Sequence, residues 1–371
     1  MLGIAACYKN PFLNDDAMTV CERRTPSRPV PLLDHTACAS RYLKDFEEVH
    51  QLGKGAFGTV FLSRSRVDGC TYAIKKSSVQ SRNEVQKQAL LKEVFAMAAC
   101  VGIQHVVRYH SAWYDCDQLF IQMEACDGTI EGCYLKPNGP RADYLTLCTI
   151  LQQIATALAG MHDRGMSHLD VKPENIYFKS EGQFRLGDFG LTHSESLMAK
   201  GSEPLEGDAR YLAPEMIGLS QGCCVSLHPC DVFSLGVTLV ELASGERVDR
   251  HSQPLAAVLM GKPLVLSGRM LGSPLSKMLQ AMLYLRPDMR PTTTQVAHDA
   301  GLLRVPEETN DSIESPRVAL DLEQRHCEGK RCKSAHYLAL LPWTLLVDGT
   351  ASHSATKRQV LHVTEWMQRD G

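Results

Sequence analysis

The feature that most constrains the fold of this chain is the segment GKGAFGTV at residues 53–60. Glycines at this spacing let backbone amides come close to the phosphates of a nucleotide. The same spacing marks dinucleotide-binding turns, but in those a helix follows the glycines directly. Here the next residues, TVFLSRS, favour a strand, so we expect a loop between antiparallel strands, lying over a nucleotide. The candidate nucleotide contacts in this loop are Gly53, Lys54, Gly55, Ala56, Phe57, Gly58, Thr59 and Val60.

A lysine with a candidate acidic partner follows the loop. Ala73 and Lys75 lie in AIK on the third predicted strand, where Ala73 would contact the nucleotide and Lys75 its α- and β-phosphates. The partner of Lys75 is expected to be an acid on the next helix, and we choose Glu93 in LLKEVF. Glu84 is the competitor, but it lies near the start of that helix and close to Lys75 in sequence.

The segment HLDVKPEN has the D-x-x-x-x-N spacing of a catalytic loop. Asp170 would accept or orient the proton of a substrate hydroxyl, and Asn175 would hold a magnesium ion. Lys172 would offset charge on the transferred γ-phosphoryl group. Downstream, Asp188 in DFG would bind magnesium across the β- and γ-phosphates, and the sequence APE at residues 213–215 closes the activation segment.

Five such motifs in this order resemble the protein kinases. The resemblance implies an α+β, bilobal protein kinase fold, with a small antiparallel-sheet lobe carrying one helix and a larger, mainly helical lobe. ATP and Mg²⁺ are the implied cofactors. The expected organisation is a flexible leader (1–40), a kinase domain (46–303) with small lobe 46–124, hinge 124–128 and large lobe 128–303, and a C-terminal extension of unknown role (304–371).

Leu169 stands where most kinases carry an arginine, directly before the catalytic aspartate. That arginine pairs with a phosphorylated residue and so orders the activation segment. Leu169 cannot do this, but no magnesium ligand or phosphate-binding lysine is missing, which disfavours a pseudokinase. We therefore expect the activation segment to become ordered without phosphorylation. Its candidate phosphorylation sites are Thr192, Ser194, Ser196 and Ser202.

Several stretches resemble the Wee family of mitotic-inhibitor kinases. These are SRYLKDFEEVHQLGKGAFGTVF, LLKEVFAMAACVGIQHVVRYHSAWYDCDQLFIQMEAC and, most specifically, EGDARYLAPE at residues 206–215. Serine/threonine kinases usually have GTxxYxAPE at this last position, and the Wee family also lacks the arginine before the catalytic aspartate. The resemblance implies that the chain phosphorylates a cyclin-dependent kinase on an inhibitory tyrosine and so opposes entry into mitosis. Gly207, Asp208 and Arg210 would shape the substrate site.

The same resemblance assigns roles to residues around the adenine and the activation segment. Met123 would be the gatekeeper, and Glu124 to Cys126 would form the hinge whose backbone binds adenine. Glu215 would pair with Arg290 in RPDMRP to anchor the activation segment. This last pair is structural.

Two other function classes stay open on sequence. The DxKPxN loop containing Lys172 is typical of serine/threonine kinases, and VVRYHSAW also resembles the kinases of translation initiation factor. Those enzymes, however, usually keep HRD, carry a long insert in the small lobe and use GTxxYMSPE. A non-catalytic adaptor that binds a cyclin-dependent kinase is the second alternative. The sequence does not exclude a kinase of the related Myt type, which also modifies a neighbouring threonine.

The net charge, one apolar stretch and the cysteines restrict the kinds of partner and ligand that the chain can have. The net charge of -3 indicates neither nucleic acid nor an anionic membrane as main partner. The resemblance to the Wee family implies a cyclin-dependent kinase–cyclin complex as protein substrate, and we expect a monomeric enzyme in the nucleus or cytoplasm. The apolar stretch at residues 337–347 is interrupted by Pro342 and is too short for a membrane span, which needs about 20 residues. Cys327, Cys332 and His326 would supply only half a zinc site.

Thr25 in TPSR matches the S/T-P-x-R/K pattern of cyclin-dependent kinase targets. We hypothesise that the substrate kinase phosphorylates it in feedback. Mass spectrometry after incubation with an active cyclin-dependent kinase tests this, and an unmodified Thr25 would refute it.

Overall fold

The structure is a computed structural model. It describes residues 40–303 apart from gaps at 56–57, 79–83, 116, 138, 180–181, 195–206, 217–225, 246, 248–254 and 267–271. Thr25, Ser196, Ser202, the cysteine pair Cys327/Cys332 and the whole predicted C-terminal extension lie outside the described residues.

The first lobe is built on a five-stranded antiparallel sheet, as the alternating pattern predicts. Its strands are β1 (Phe46–Lys54), β2 (Gly58–Ser65), β3 (Thr71–Ser77), β4 (Tyr109–Asp115) and β5 (Gln118–Glu124), in the spatial order β1-β2-β3-β5-β4. The turn between β2 and β3 needs Gly69, whose φ of +71° is unfavourable for other residues. The sheet therefore places β3, with Lys75, beside β5, which leads into the predicted hinge.

Two helices accompany this sheet. Helix α1 (Arg41–Asp45) precedes β1, and α2 (Glu84–Ala99) is the helix predicted between β3 and β4. The sequence spacing predicts that Leu90, Val94 and Met97 share one face of this helix. The structure confirms that face, since Val94 and Met97 are buried and Leu90 packs against the same core. This packing directs the face of α2 that carries Glu93 toward the sheet.

Helix α1 extends the folded unit to a point before the predicted domain start at Phe46. The Tyr42 ring lies 4.9 Å from that of Phe120, and Trp113 stacks between Phe46 at 5.8 Å and Phe120 at 5.5 Å. Ser40 Oγ donates a 2.6 Å hydrogen bond to Asp115 on β4. A five-residue helix is too short to show periodicity, so the sequence pattern gave no sign of it.

The second lobe is mainly helical. Its helices are α3 (Ile130–Tyr134), α4 (Tyr144–His162), α5 (His228–Ser244), α6 (Leu255–Leu259), α7 (Pro274–Met282) and α8 (Thr293–Leu302). Short strands β6 (Gly128–Thr129), β8 (Ile176–Lys179) and β9 (Gln183–Leu186) form one sheet, and β7 (Met166–Ser167) pairs with β10 (His193–Ser194). Helix α5, predicted from VFSLGVTLVELASG, is buried from Cys230 to Leu242 and forms the centre of the lobe.

Helix α4 ends differently from the sequence prediction. The amphipathic segment YLTLCTILQQIATALAGMHDRG predicts a helix capped by Gly165, but the helix ends at His162 and Asp163 is the cap. Gly165, with φ +68°, instead allows the turn into β7. Among the described residues, α4 alone is long and apolar enough by composition to cross a membrane. Here it is a core helix that packs against α8 and α5.

Candidate active site

Lys75 and Glu93 meet at the interface of β3 and α2. Lys75 Nζ lies 2.6 Å from Glu93 Oε1 and 2.8 Å from Oε2, and both side chains are largely buried. The acid on the facing turn of α2 is therefore Glu93, whereas Glu84 is the first residue of that helix. A cavity behind the pair is lined by Lys75, Ser77, Leu90, Glu93, Leu119, Ile121 and Gly190.

Burial and a third charge set the protonation of this pair. Burial acts to lower the pKa of Lys75, but the carboxylates of Glu93 and Asp188 outweigh it and hold that pKa above its usual range. Burial raises the pKa of Glu93, and Asp188 adds to that effect against the attraction of Lys75. Lys75 therefore remains an ammonium ion at neutral pH, as contact with phosphates requires.

The catalytic-loop candidates converge on Asp170. Lys172 Nζ lies 2.9 Å from Asp170 Oδ1. The 3₁₀ turn Pro173–Asn175 brings Asn175 back, so that its Nδ2 donates to Asp170 Oδ2 at 2.7 Å and to the Asp170 carbonyl at 2.9 Å. Because Nδ2 is used in this way, the side-chain oxygen of Asn175 faces elsewhere and can serve as a cation ligand.

Leu169 has a backbone role that the sequence does not reveal. Its φ is +64°, and its side chain is buried. The backbone N–H groups of His168 and Leu169 donate to Asp231 on α5 at 2.9 and 2.8 Å. His162 Nε2 donates to the same carboxylate at 2.9 Å. Asp231 therefore fixes the bend that presents Asp170.

Asp231 itself was missed by the sequence reasoning. Its side chain is fully buried, and burial acts to raise its pKa. The hydrogen bonds from His162 and Leu169 and the nearby His168 outweigh burial and hold that pKa below its usual range. The available signal was an acid in the first turn of a mostly apolar helix, since buried charges in such a position are paired.

Asp188 lies near both Asn175 and Lys75. Its φ is +60°, and Gly190 N–H donates to its Oδ1 at 3.3 Å. Phe189 is fully buried, with its ring 5.3 Å from that of His168. Gly187 N–H donates to the Asn175 carbonyl at 2.9 Å, which joins the two segments. One carboxylate and one amide oxygen are the hard donors that Mg²⁺ prefers, so Asn175 and Asp188 fit this ion.

The glycine-rich segment is a turn between β1 and β2, as predicted. Gly53 and Lys54 pair with Val60 and Thr59, and Gly55 N–H donates to the Gly58 carbonyl at 2.9 Å. A side chain at Gly58 would lie 2.4 Å from the carbonyl oxygen of Lys76, so only glycine fits there. Ala56 and Phe57 lie outside the described residues.

The predicted gatekeeper lies near the end of β5, and the predicted hinge begins at the last residue of that strand. Ala73 and Met123 are opposite each other on β3 and β5. The Glu124 side chain, 8% exposed, accepts from Arg108 N–H at 2.7 Å and lies 2.9 Å from Lys179 Nζ on β8 and 3.3 Å from Arg185 Nε on β9. It thus ties the two lobes together, and the Glu124 backbone N–H also donates to the Arg108 carbonyl at 2.9 Å. Burial raises the pKa of the Cys126 thiol to about 12.

The activation segment ends in anchored residues. Arg290, fully buried, contacts Glu215 through two hydrogen bonds of 2.6 and 2.8 Å, which confirms the predicted pair. Tyr211 donates its hydroxyl proton to the buried Glu241, and Ser234 Oγ donates to the Tyr211 carbonyl at 2.8 Å. Arg210 holds Asp208 at 2.7 Å and lies over the Tyr211 ring.

Glu215→Gln is expected to lower the free energy of unfolding by about 3 kcal/mol, because it leaves the Arg290 charge buried without its partner. Urea unfolding measures this, with the exposed Asp288→Asn as a matched control. Burial acts to raise the pKa of Glu215, but Arg290 holds it below the usual range. The pair's stabilisation is therefore present above the unfolded pKa, about 4.3, and is lost as the pH falls through the folded pKa. Equal stability losses in both variants would contradict this role.

Two of the four candidate phosphorylation sites are enclosed. Thr192 is fully buried, and Ser194 is buried in β10, where it pairs with Met166 of β7. A phosphate on either residue would require this strand pair to open.

Comparison with known proteins agrees with this geometry. The protein kinase domain family matches residues 46–300. The chain is 34% identical over 295 residues to a Wee1-like protein kinase of Arabidopsis thaliana, covering 78% of this chain and 57% of that protein. It is 34% identical to a Wee1-like protein kinase of Oryza sativa subsp. japonica, covering 78% and 54%. It is 30% identical to Wee1-like protein kinase 1-B of Xenopus laevis, covering 87% and 57%.

This chain thus spans little more than half the length of these relatives. The match to the kinase domain runs through the sheet lobe and the helical lobe alike, and it contains every residue of the site described above. The chain belongs to the protein kinase family, and within it to the Wee-type kinases.

Proposed function

We propose that this protein kinase transfers the γ-phosphate of ATP to an inhibitory tyrosine of a cyclin-dependent kinase, and so restrains entry into mitosis. The observation that carries the proposal is the assembled site. Lys75 is paired with Glu93, Asp170 is held by Asn175, and Asp188 acts on Lys75 electrostatically. Glu215 and Arg290 anchor the end of the activation segment. The similarity to Wee1-like protein kinases supports the substrate class that the Wee-family resemblance implies.

Each step of the proposed phosphotransfer depends on particular residues of the chain. The glycine-rich turn and Lys75 would hold and orient the phosphates. Asp170 would accept the proton of the substrate hydroxyl, and Lys172, 2.9 Å from it, would offset the charge on the transferred group. The oxygens of Asn175 and Asp188 would hold Mg²⁺, which would supply positive charge against the phosphates.

Asp208 and Arg210 would shape the substrate site, as the resemblance to the Wee family implies. The Arg210 guanidinium is fixed by Asp208 and by its position 5.1 Å from the centre of the Tyr211 ring. Burial acts to raise the pKa of Asp208, but Arg210 and, with a smaller effect, Lys172 hold that pKa below its usual range. The rim of the substrate site therefore lies close to the catalytic loop. We infer that this rim receives the glycine-rich loop of the substrate kinase.

The direct test is a kinase assay with magnesium-ATP on a catalytically dead cyclin-dependent kinase–cyclin complex. Mass spectrometry reads phosphotyrosine and phosphothreonine separately, with Asp170→Asn as the inactive control. Tyrosine phosphate in the glycine-rich loop of the substrate is the expected result. Phosphothreonine alone would move the protein to the serine/threonine alternative. ATP binding without transfer would favour the adaptor.

Alanine at Thr192, Ser194, Ser196 and Ser202 together is expected to leave transfer within about threefold of the wild-type rate, because no arginine precedes Asp170 to receive a phosphate. The measurement is kcat/KM on the same complex, with phosphatase-treated wild-type enzyme in parallel. A fall to the level of Asp170→Asn would show that the segment needs a phosphate after all.

A further inference from the structure

Three cationic side chains lie beside the hinge and belong to both lobes. Arg108 is exposed and directly precedes β4 of the small lobe, whereas Lys179 ends β8 and Arg185 lies on β9 of the large lobe. Lys179 and Arg185 both contact the buried carboxylate of Glu124, which also accepts from the Arg108 N–H. Arg108, Lys179 and Arg185 are called the hinge cluster below.

The hinge cluster has more positive charge than its contacts compensate. Its three cations share the single carboxylate of Glu124, and the Arg108 guanidinium forms no ion pair with any residue that the structure describes. Two further acids lie in the vicinity. Asp68 accepts the hydroxyl proton of Tyr72 at 2.9 Å, and Asp127 is part of the hinge itself.

The exposed His110 on β4 reports the balance of these charges. Burial lowers its pKa, and the largest effect of any charge on it is that of Arg108, which lowers the pKa further. Glu124 and Asp68 act in the opposite direction with smaller effects, and Lys179 adds to that of Arg108. The positive charge of Arg108 therefore dominates this surface, which suits an acidic ligand.

The last described helix, α8, ends near the strand that carries Arg185. A Cβ atom at Gly301 on α8 would lie 2.9 Å from Nε2 of Gln152 on α4. The next residue of α4, Gln153, accepts from the N–H of Phe184 on β9 at 2.6 Å, and Phe184 directly precedes Arg185. Helix α8 and strand β9 therefore meet α4 at adjacent residues.

The sequence that follows the last described residue, Leu303, is acidic. Residues 306–315 read PEETNDSIES and contain no lysine or arginine, and their carboxylates are those of Glu307, Glu308, Asp311 and Glu314. Ten extended residues span at most about 35 Å. Because α8 and β9 meet α4 at adjacent residues, this length is sufficient to lead from the end of α8 to the hinge cluster.

We propose that residues 307–314 of this chain bind to the hinge cluster and so connect the two lobes beside the hinge. Their four carboxylates supply negative charge to the cations that share Glu124, and Arg108 is their contact on the small lobe. Each exposed ion pair is weak, but the segment is tethered to α8, which gives it a high effective concentration at the cluster. The bound segment restrains movement of the lobes about the hinge. This inference goes beyond the proposed phosphotransfer and does not depend on it.

Crosslinking of the whole chain with a carbodiimide, which joins an amine to a carboxylate in direct contact, tests the proposal. An equal mixture of isotope-labelled and unlabelled protein at low salt distinguishes links within one molecule from links between two copies by mass spectrometry. A link between Lys179 and a carboxylate of residues 307–314 within one molecule is the expected result. The link between Lys179 and Glu124, which lie 2.9 Å apart, is the internal control.

Two charge reversals separate specific binding from a general effect of charge. Arg108→Glu should lower the yield of the link between Lys179 and residues 307–314 about threefold to tenfold, because it replaces the unpaired cation of the cluster with an acid. Lys277→Glu makes the same change of charge at an exposed position on α7 and should leave the yield unchanged. A protease that cleaves after glutamate should cut after Glu308 and Glu314 faster in Arg108→Glu, by a similar factor. Thermal unfolding checks that both variants are folded.

Three results would overturn the proposal. The first is a link from Lys179 to Glu124 without any link to residues 307–314. The second is a link to residues 307–314 that forms only between labelled and unlabelled molecules, which would assign the cluster to a second copy of the chain. The third is an equal yield and equal cleavage rates in wild type and Arg108→Glu, which would show that the segment does not depend on the charge of the cluster.

Discussion

Asp231→Asn is expected to lower the free energy of unfolding by about 3 kcal/mol and the rate of phosphotransfer at least about 100-fold. The asparagine amide keeps the size of the side chain, but its NH₂ group faces donors where Asp231 accepts from His168, Leu169 and His162. One buried N–H group then loses its acceptor. Leu169, at φ +64°, can relax from its left-handed conformation, and Asp170 moves with it.

Urea unfolding and single-turnover kinetics check the two effects separately. Asp299→Asn is the matched control, since that side chain is exposed and pairs only with exposed His298. Because the folded pKa of Asp231 is depressed, its stabilisation is present above the unfolded value, about 3.9, and is lost as the pH falls through the folded pKa. A rate loss explained entirely by the unfolded fraction would contradict a role in positioning Asp170.

Lys75→Met is expected to lower kcat/KM for ATP by at least about 1000-fold, whereas Glu93→Gln should lower it by about 10- to 100-fold. Lys75 would contact the phosphates itself, while Glu93 only holds it at 2.6 Å. Both proteins should remain folded. In Lys75→Met the Glu93 carboxyl, whose pKa is already raised by burial and Asp188, can take up a proton instead of remaining an unpaired buried charge.

The neighbouring residue provides the control for this pair. Lys76→Met removes an ammonium group that lies 5.8 Å from the centre of the Phe120 ring, among the aromatic residues that pack against α1. It should leave kcat/KM nearly unchanged. Calorimetric titration with ATP then separates binding from transfer. Equal losses in Lys75→Met and Glu93→Gln would mean that Lys75 acts only as the partner of Glu93.

Residues that act through a local spacing could be predicted from the sequence. Asp170 and Asn175 are five positions apart, and one 3₁₀ turn brings them together. The glycine turn depends on strands that are adjacent in sequence. The choice of Glu93 over Glu84 needed only the expected position of one acid on one helix. In these cases, residues that are close in the sequence form the site, so their spacing is enough to predict it.

The contacts that position the remaining site residues could not be predicted, because the residues in contact are distant from each other in the sequence. Asp231 is 62 residues from Leu169. The sequence shows that Leu169 replaces an arginine, but it does not show that the backbone there is left-handed and held from α5. The same limit applies to Glu124, whose partners lie on β8 and β9. Only the assembled core determines such contacts.

The aromatic stack beneath α1 gives the small lobe a built-in optical signal. Trp113 is 1% exposed and lies between Phe46 and Phe120, with the Arg41 guanidinium 4.6 Å from the centre of its ring. Release of α1 would admit water to the indole and shift its fluorescence emission to longer wavelength. Replacing Trp343 and Trp366 with phenylalanine would leave Trp113 as the single emitter. Detachment of this N-terminal helix could then be timed in solution without an added label.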